Sequence, residues 1–239
     1  MKITIVYDNT ILKKNNKGLR SSMGFSCFIQ TQDKNLLFDT GWDGDMLVSN
    51  MKLLGIDYQD TDIIFISHEH GDHEGGLARY LTLNPNPAVF VPGSFYESLY
   101  DRLGPQQAKL RKNIYAVKET LEICPNIYST GEIEGVFIDG KQEILIKEQS
   151  LIINCFKGII VIVGCSHSGI DKILNLASKF GNVYALIGGF HDFEEYNLLK
   201  NISLIVATHC TEHKKEISKL YPSSYVKGGV GYELFLGNN

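Results

Sequence analysis

The chain has 239 residues, room for one large domain or two small ones, and the reading favours one. With 44% hydrophobic and 21% charged residues, it falls outside the disordered and fibrous classes. A formal net charge of −4 without a basic stripe argues against a long nucleic-acid interface. The apolar run Ile3 to Tyr7 is far shorter than a secretory core segment, and no apolar stretch reaches 18 residues, so the expectation is a cytoplasmic protein without a membrane partner. The five cysteines, Cys27, Cys124, Cys155, Cys165 and Cys210, never fall as Cys-x-x-Cys and suggest neither a disulfide scaffold nor a zinc knuckle. Cys27 and Cys155 sit in apolar runs as small hydrophobes, whereas Cys165 and Cys210 lie beside histidines.

Strand-like runs occur at Ile3 to Tyr7, Gly24 to Thr31, Leu36 to Asp39 and Ile63 to Ser67, each bounded by polar or glycine punctuation. Between Asp43 and Leu54 the spacing of Met46, Leu47, Met51 and Leu54 predicts a helix closed by Gly55. A helix-like stretch follows at Glu74 to Leu81. The Asn84 to Asn126 segment, with Pro85, Pro87, Pro92, Pro105 and Pro125, reads as the least regular part and a candidate insertion or lid over 84–126. Lys13 to Gly18 is polar enough to form a loop. Further strands are expected at Ile133 to Ile138, Ile144 to Ile146, Leu151 to Phe156 and Ile159 to Val163, with Lys157-Gly158 as a tight turn between the last two. Helix-like Ile170 to Phe180, strand Val183 to Ile187, helix-like Phe193 to Asn201, strand Leu204 to Ala207 and helix-like Glu212 to Leu220 complete the chain. The expected fold is α/β: an αββα sandwich of two mixed sheets with helices outside.

The chemistry concentrates in Ser67-His68-Glu69-His70-Gly71-Asp72-His73, which follows an apolar strand. With seven histidines in the whole chain, a chance H-x-H-x-D-H has a probability on the order of 10⁻⁴ to 10⁻³. Neutral imidazoles and a carboxylate suit zinc, iron or manganese, and a turn at a strand end can aim His68 and His70 at one metal and Asp72 and His73 at its neighbour. Two metals sharing a water would lower its pKa toward about 7, giving a bridging hydroxide to attack an ester, lactone or phosphoester centre. In that scheme Asp72 orients the water and His191 contacts the substrate or leaving group, although His191 read alone is equally a loop residue held by a backbone hydrogen bond. The same ligands with iron would support redox chemistry, and a metal-binding sensor without turnover is a third reading. Tyr96, Tyr100, Arg102, Lys109, Arg111 and Lys112 could draw an anionic small-molecule substrate, or equally form a solvated face.

The H-x-H-x-D-H loop at a strand end resembles the hallmark of the metallo-β-lactamase superfamily, and the resemblance covers most of the chain. Leu37-Phe38-Asp39-Thr40-Gly41 is similar to its first motif, which implies that Asp39 supports the histidine loop without binding metal. Val163-Gly164-Cys165-Ser166-His167-Ser168-Gly169, Gly188-Gly189-Phe190-His191 and Ala207-Thr208-His209-Cys210-Thr211 resemble a narrower branch of hydrolases named for dihydropterin ribofuranosylaminobenzene phosphate synthase. The resemblance implies a binuclear hydrolase with two divalent ions, zinc as first choice and iron or manganese as alternatives. His209 matches the superfamily's last ligand, shared with Asp72 and His73. No histidine lies between Glu74 and Ser166, where many superfamily members place a further ligand. His68 and His70 are too few for a stable site, and His167, at a rigid strand end, is the best remaining third ligand, whereas His191 follows a Gly188-Gly189 pair expected to be more mobile. Cys165 stands near the expected bridging aspartate and is either a ligand or an inert buried thiol. His213, on a lysine-flanked helix, is left as a surface residue.

Overall fold

The computed structural model describes residues 1–12, 18–103, 112–140 and 142–237. Strands β1 (Lys2–Tyr7), β2 (Ser26–Gln30) and β3 (Asn35–Phe38) lead to helix α1 (Gly44–Leu53), strand β4 (Ile63–Phe65) and helices α2 (Gly71–Glu74) and α3 (Leu77–Leu83). Then come β5 (Ala88–Pro92), α4 (Gly93–Leu103), β6 (Ile114–Val117), β7 (Leu121–Cys124), β8 (Ile127–Ser129), β9 (Ile133–Asp139) and β10 (Gln142–Glu148). The remainder runs β11 (Leu151–Cys155), β12 (Gly158–Val163), α5 (Ile170–Ser178), β13 (Val183–Gly188), β14 (Leu204–Ala207), α6 (Lys214–Leu220) and β15 (Glu233–Phe235). The fold is mixed α/β with two mixed sheets, as the alternation of strand and helix patterns predicts. No described helix is long and apolar enough to cross a membrane.

The first compact unit comprises Met1–Ala116 with Gly228–Asn239. Its sheet has seven strands in the order β15-β1-β2-β3-β4-β5-β6. The strands up to β3 pair antiparallel, whereas β4 runs parallel to both β3 and β5. The register Phe38↔Phe65 brings the end of β3 level with the end of β4, so the residues just beyond each are neighbours. Met46, Leu47 and Met51 of α1, Leu77, Tyr80 and Leu81 of α3, and Phe95 and Leu99 of α4 pack with Phe28, Leu37, Ile64, Val89 and Val91 of the sheet. The predicted helix over Asp43 to Leu54 is present. Asp43 Oδ1 caps it by accepting the N–H groups of Asp45 and Met46 (2.9 and 3.1 Å). Gly55, at φ +75°, lets the N–H of Ile56 return to the Met51 carbonyl (2.9 Å) in a Schellman closure.

Two expectations over residues 74–126 need correction. The helix-like Glu74 to Leu81 stretch is divided between the end of α2 and α3, with Gly75 and Gly76 at the junction, where a Cβ would collide with the Gly71 and Thr40 carbonyls. The described part of the proline-bearing 84–126 stretch is regular: it holds β5, α4, β6 and β7, with β5 inside the sheet. Its prolines punctuate rather than disrupt, since Pro85 and Pro87 precede β5, Pro92 ends it and Pro125 lies in the β7–β8 turn, while Pro105 falls outside the described residues. Most of the polar Lys13 to Gly18 stretch also falls outside them.

The second unit, Val117–Lys227, holds a six-stranded sheet in the order β14-β13-β12-β11-β8-β7 and a separate β9–β10 hairpin. β12, β13 and β14 are parallel, so their C-terminal ends open at the same sheet margin, the usual place for a site in α/β folds. β12 is buried from Ile159 to Val163, as expected for a strand covered on both faces. Ile170, Ile173 and Ala177 of α5 and Ile217 of α6 pack with Val161, Val163, Leu186, Ile205 and Ala207. The β11–β12 turn falls at Phe156-Lys157, one residue before the predicted position, because Gly158 at φ +124° already pairs with Cys155. The helix-like Phe193 to Asn201 stretch forms only a 3-10 turn at Tyr196–Leu199, whose start has no side-chain cap.

Gly188 and Gly189, which sequence alone reads as a mobile pair, are instead close-packed. Gly188 has φ +133°, and a Cβ there would collide with the Val163 carbonyl. Gly188→Ala is therefore expected to cost about 3 kcal/mol or more from backbone strain and clash. That corresponds to a melting temperature lower by roughly 6–12 °C. An unchanged melting curve would show that the β12–β13 junction tolerates a side chain.

Candidate metal centre

The histidine loop is organised by Asp39, the residue after β3. Asp39 is wholly buried and has φ +53°, a left-handed conformation uncommon outside glycine. Its N–H bonds the Phe65 carbonyl (2.8 Å), extending the β3–β4 ladder, and its carbonyl accepts the Ser26 hydroxyl (2.8 Å). The carboxylate then reaches across to the loop after β4. Oδ1 accepts the Ser67 N–H (2.7 Å), while Oδ2 accepts the Ser67 hydroxyl (2.8 Å) and His73 Nδ1 (2.7 Å).

The proton inventory follows from these contacts. An ionised carboxylate only accepts, so His73 carries its proton on Nδ1. Ser67 has one hydroxyl proton and gives it to Asp39. The His68 Nδ1 atom, 2.8 Å from Ser67 Oγ, is therefore the donor in that pair. One carboxylate thus sets both rings in the Nδ1–H tautomer and leaves the Nε2 lone pairs of His68 and His73 as metal-ligating positions.

The spacing of the donors suits divalent ions. His68 Nε2 lies 3.1 Å from His70 Nδ1. Two nitrogens on one tetrahedral zinc, each at about 2.0–2.1 Å, are roughly 3.3 Å apart. His73 Nε2 lies 3.8 Å from Asp72 Oδ2, within the span of about 4 Å that two such donors can bridge. The backbone of the loop is fastened on both sides. Thr40 donates its N–H (2.7 Å) and hydroxyl (3.0 Å) to the His73 carbonyl, and Phe25 donates its N–H to the Asp72 carbonyl (3.2 Å). Gly24, at φ +131°, leaves room for that carbonyl, which a Cβ would strike.

Arg102, one of the cations that sequence places near a substrate, is engaged with the same loop. Its Nη1 lies 2.6 Å from Glu74 Oε1 and donates to the Glu69 carbonyl (3.3 Å), and Nη2 is 3.5 Å from Glu69 Oε2. Burial pushes the Glu74 carboxyl above its ordinary pKa, with Arg102 pulling the other way. Lys109 and Arg111, and the side chain of Tyr100, fall outside the described residues.

In the second unit the three histidine motifs follow the parallel strands β12, β13 and β14. His167 is half-buried, its ring 5.0 Å from that of His191 and 5.6 Å from Phe137. His191, at φ +47°, has its Nδ1 3.6 Å from Asp192 Oδ1, and its carbonyl accepts the Glu212 N–H (2.9 Å). His209, at φ +42°, is buried. A cavity of about 390 Å³ opens beside His167 and His191, walled by Phe190 and Phe193 and rimmed by Asp171, Asp192, Glu194 and Glu195. His213 precedes α6, half-buried, with Nε2 3.6 Å from Glu194 Oε1.

Of the sequence-derived candidates, Asp39, His68, His70, Asp72 and His73 lie together in the first unit, and Cys165, His167, His191 and His209 surround one sheet margin in the second. Among the described residues five non-glycines have positive φ, and four of them are Asp39, Ser166, His191 and His209, so backbone strain collects at these motifs. Two contributors are absent from the sequence assignment. Ser67 relays Asp39 to His68 and is marked only by its place before the first histidine. Cys210 approaches Cys165 and is marked by its adjacency to His209.

The model of the metallo-beta-lactamase superfamily matches residues 20–148, more than half of the sequence and including Asp39 and the whole histidine loop. The chain belongs to that superfamily. It is 28% identical over 253 residues to the 7,8-dihydropterin-6-methyl-4-(β-D-ribofuranosyl)-aminobenzene-5′-phosphate synthase of Methanocaldococcus jannaschii, covering 84% of this chain and 85% of that protein. Among solved structures, one described as a metal-dependent hydrolase of the β-lactamase superfamily matches with a TM-score of 0.77 and 24% identity over 100% of both chains. Zinc-bound PqqB from Methylobacterium extorquens matches with a TM-score of 0.66 and 13% identity, covering 99% of this chain and 100% of that one. Both are likenesses of fold.

Asp39→Asn keeps the side-chain volume but turns amide hydrogens toward donors that now face a carboxylate. Metal affinity is expected to fall by roughly 10- to 100-fold, read by competition with a chelator. Complete loss equal to that of a direct ligand, or no loss at all, would contradict the orienting role.

Proposed function

We propose that the protein is a metal-dependent hydrolase that cleaves an ester, lactone or phosphoester bond in a small molecule. The observation that carries this reading is the Asp39 network, which fixes the Nε2 lone pairs of His68 and His73. A buried carboxylate that presets two imidazoles for ligation is costly to build without a cation to receive them. His68 and His70, with His167, are the proposed ligands of one divalent ion, and Asp72 and His73, with His209, those of a second. When bound, such ions supply Lewis acidity and lower the pKa of water toward about 7. Membership of the superfamily, and the metal-dependent hydrolase and zinc-bound protein among its structural neighbours, support this class.

Each residue has a distinct task. Asp72 accepts a hydrogen bond from the attacking water and holds it toward the substrate. His191, half-exposed at the cavity, contacts the substrate or donates to the leaving group. Phe190 and Phe193 offer apolar walls to the part of the substrate that enters. The four rim carboxylates disfavour an anion there, so that part is neutral or cationic, and a phosphate, as in the name of the archaeal relative, would lie outside this cavity.

His70→Ala and Asp72→Asn are each expected to reduce bound metal and abolish turnover while the protein stays folded, because both are only partly buried, at the start of α2 and outside the core. Two equivalents of metal remaining in both variants, measured by elemental analysis, would refute the assignment. His167→Ala should lose about one metal per chain, as expected for one of three protein ligands. His191→Ala should keep both metals and lower turnover. If metal content responds the other way round, the roles of these two histidines must be exchanged.

A further inference from the structure

Cys165 follows β12, while His209 and Cys210 follow β14, and between these strands runs β13, ending at Gly188. Strands on either side of a common neighbour are roughly 9–10 Å apart. Yet one ligand atom each from Cys165, His209 and Cys210 all lie within 4.8 Å of one another. Two features close that gap. Gly189 has no side chain, and a Cβ there would come to 2.5 Å from Cys210 Sγ and 2.5 Å from the Gly164 carbonyl. His209, at φ +42°, breaks the extended backbone in which consecutive side chains face opposite ways, so His209 and Cys210 both turn toward the Cys165 loop. Lys214 Nζ donates to the His209 carbonyl (3.0 Å) and holds that turn. Cys165 and His209 are buried, and Cys210 is half-buried.

We infer that Cys165, His209 and Cys210 form a soft-donor site for one zinc ion. Two thiolates and one imidazole are a donor set that zinc accepts, and the ion they would hold is the one proposed above for His209. Binding replaces the two thiol protons, which leave to solvent. Donors of one tetrahedral zinc, with Zn–S near 2.3 Å and Zn–N near 2.0–2.1 Å, are roughly 3.5–3.8 Å apart, so the cluster closes on the ion by small side-chain shifts. Thiolates disfavour magnesium, calcium and manganese, which makes this end of the centre selective for a soft cation. The inference rests on the proposed function in that His209 is a metal ligand there, and it adds the thiols and the identity of the metal.

The test uses the reduced, metal-stripped full chain loaded with cobalt(II), which reports sulfur ligation by a charge-transfer band in the near ultraviolet. Wild type is expected to show the band, Cys165→Ser and Cys210→Ser about half of it each, and the double variant none, with about one cobalt fewer per chain. Cobalt bound to wild type without the band, or a band unchanged in the double variant, overturns the site. X-ray absorption at the zinc edge of the zinc-loaded wild type needs no variant. Sulfur neighbours at about 2.3 Å support the site, and a shell of nitrogen and oxygen alone overturns it. A wild type with sulfur ligation that hydrolyses no ester, lactone or phosphoester refutes the hydrolase and leaves the site standing, and hydrolysis without sulfur ligation does the reverse.

Discussion

The buried carboxylate of Asp39 is the constraint on which the first unit's chemistry depends. Three hydrogens converge on it: the Ser67 N–H, the Ser67 hydroxyl and His73 Nδ1. Leaving any one of these buried groups without its partner would cost about 1–3 kcal/mol, so the loop after β4 has little freedom to adopt another path. The parallel register of β3 and β4 makes the contact possible by ending both strands at the same level. The left-handed backbone at Asp39 then turns its side chain across to the loop instead of continuing along the strand. Strain at one residue and burial of one charge are offset by these hydrogen bonds, and the result is the ordering of two histidines.

The second unit reaches a comparable result by close approach of backbone. β12, β13 and β14 are parallel neighbours, and the residues just beyond them must share a narrow margin. Gly188 and Gly189 allow that approach, and the Gly189 N–H donates to the Gly164 carbonyl (3.0 Å) while the Ser166 hydroxyl donates to the Gly189 carbonyl (2.9 Å). Rigidity at a strand end is what a ligand or a substrate contact requires, and here it comes from glycines. The positive φ angles at Ser166, His191 and His209 indicate that these side chains are aimed by tertiary structure against local preference.

Much of this was legible in the sequence wherever local chemistry and periodicity agree. Helix α1 announces itself by apolar spacing, Asp43 at the start and Gly55 at the end, and the structure uses all three signals. The H-x-H-x-D-H loop was legible because four ligating residues in six positions have no structural reason to follow an apolar strand. Asp39 was not legible from its surroundings, since a turn aspartate before a helix looks the same, and only the resemblance to a family gave it a role. β5 and α4 escaped because prolines read as breakers, whereas these sit at the ends of elements. Gly188 and Gly189 were misread for a related reason: a glycine needed for close packing and one that permits motion are identical in sequence. Cys210 escaped because its significance depends on Cys165, 45 residues away, which only the sheet brings near.

The most direct test of the account is the tautomeric state of His68 and His73, measured by long-range nitrogen–proton correlation NMR on the metal-free protein with assigned histidines. The Asp39 network predicts that both rings carry the proton on Nδ1 and present a bare Nε2, and that Asp39→Asn releases His73 from that state. Finding either ring protonated on Nε2 in the wild type, or both rings unchanged in the variant, would contradict the claim that this carboxylate prepares the metal-binding loop.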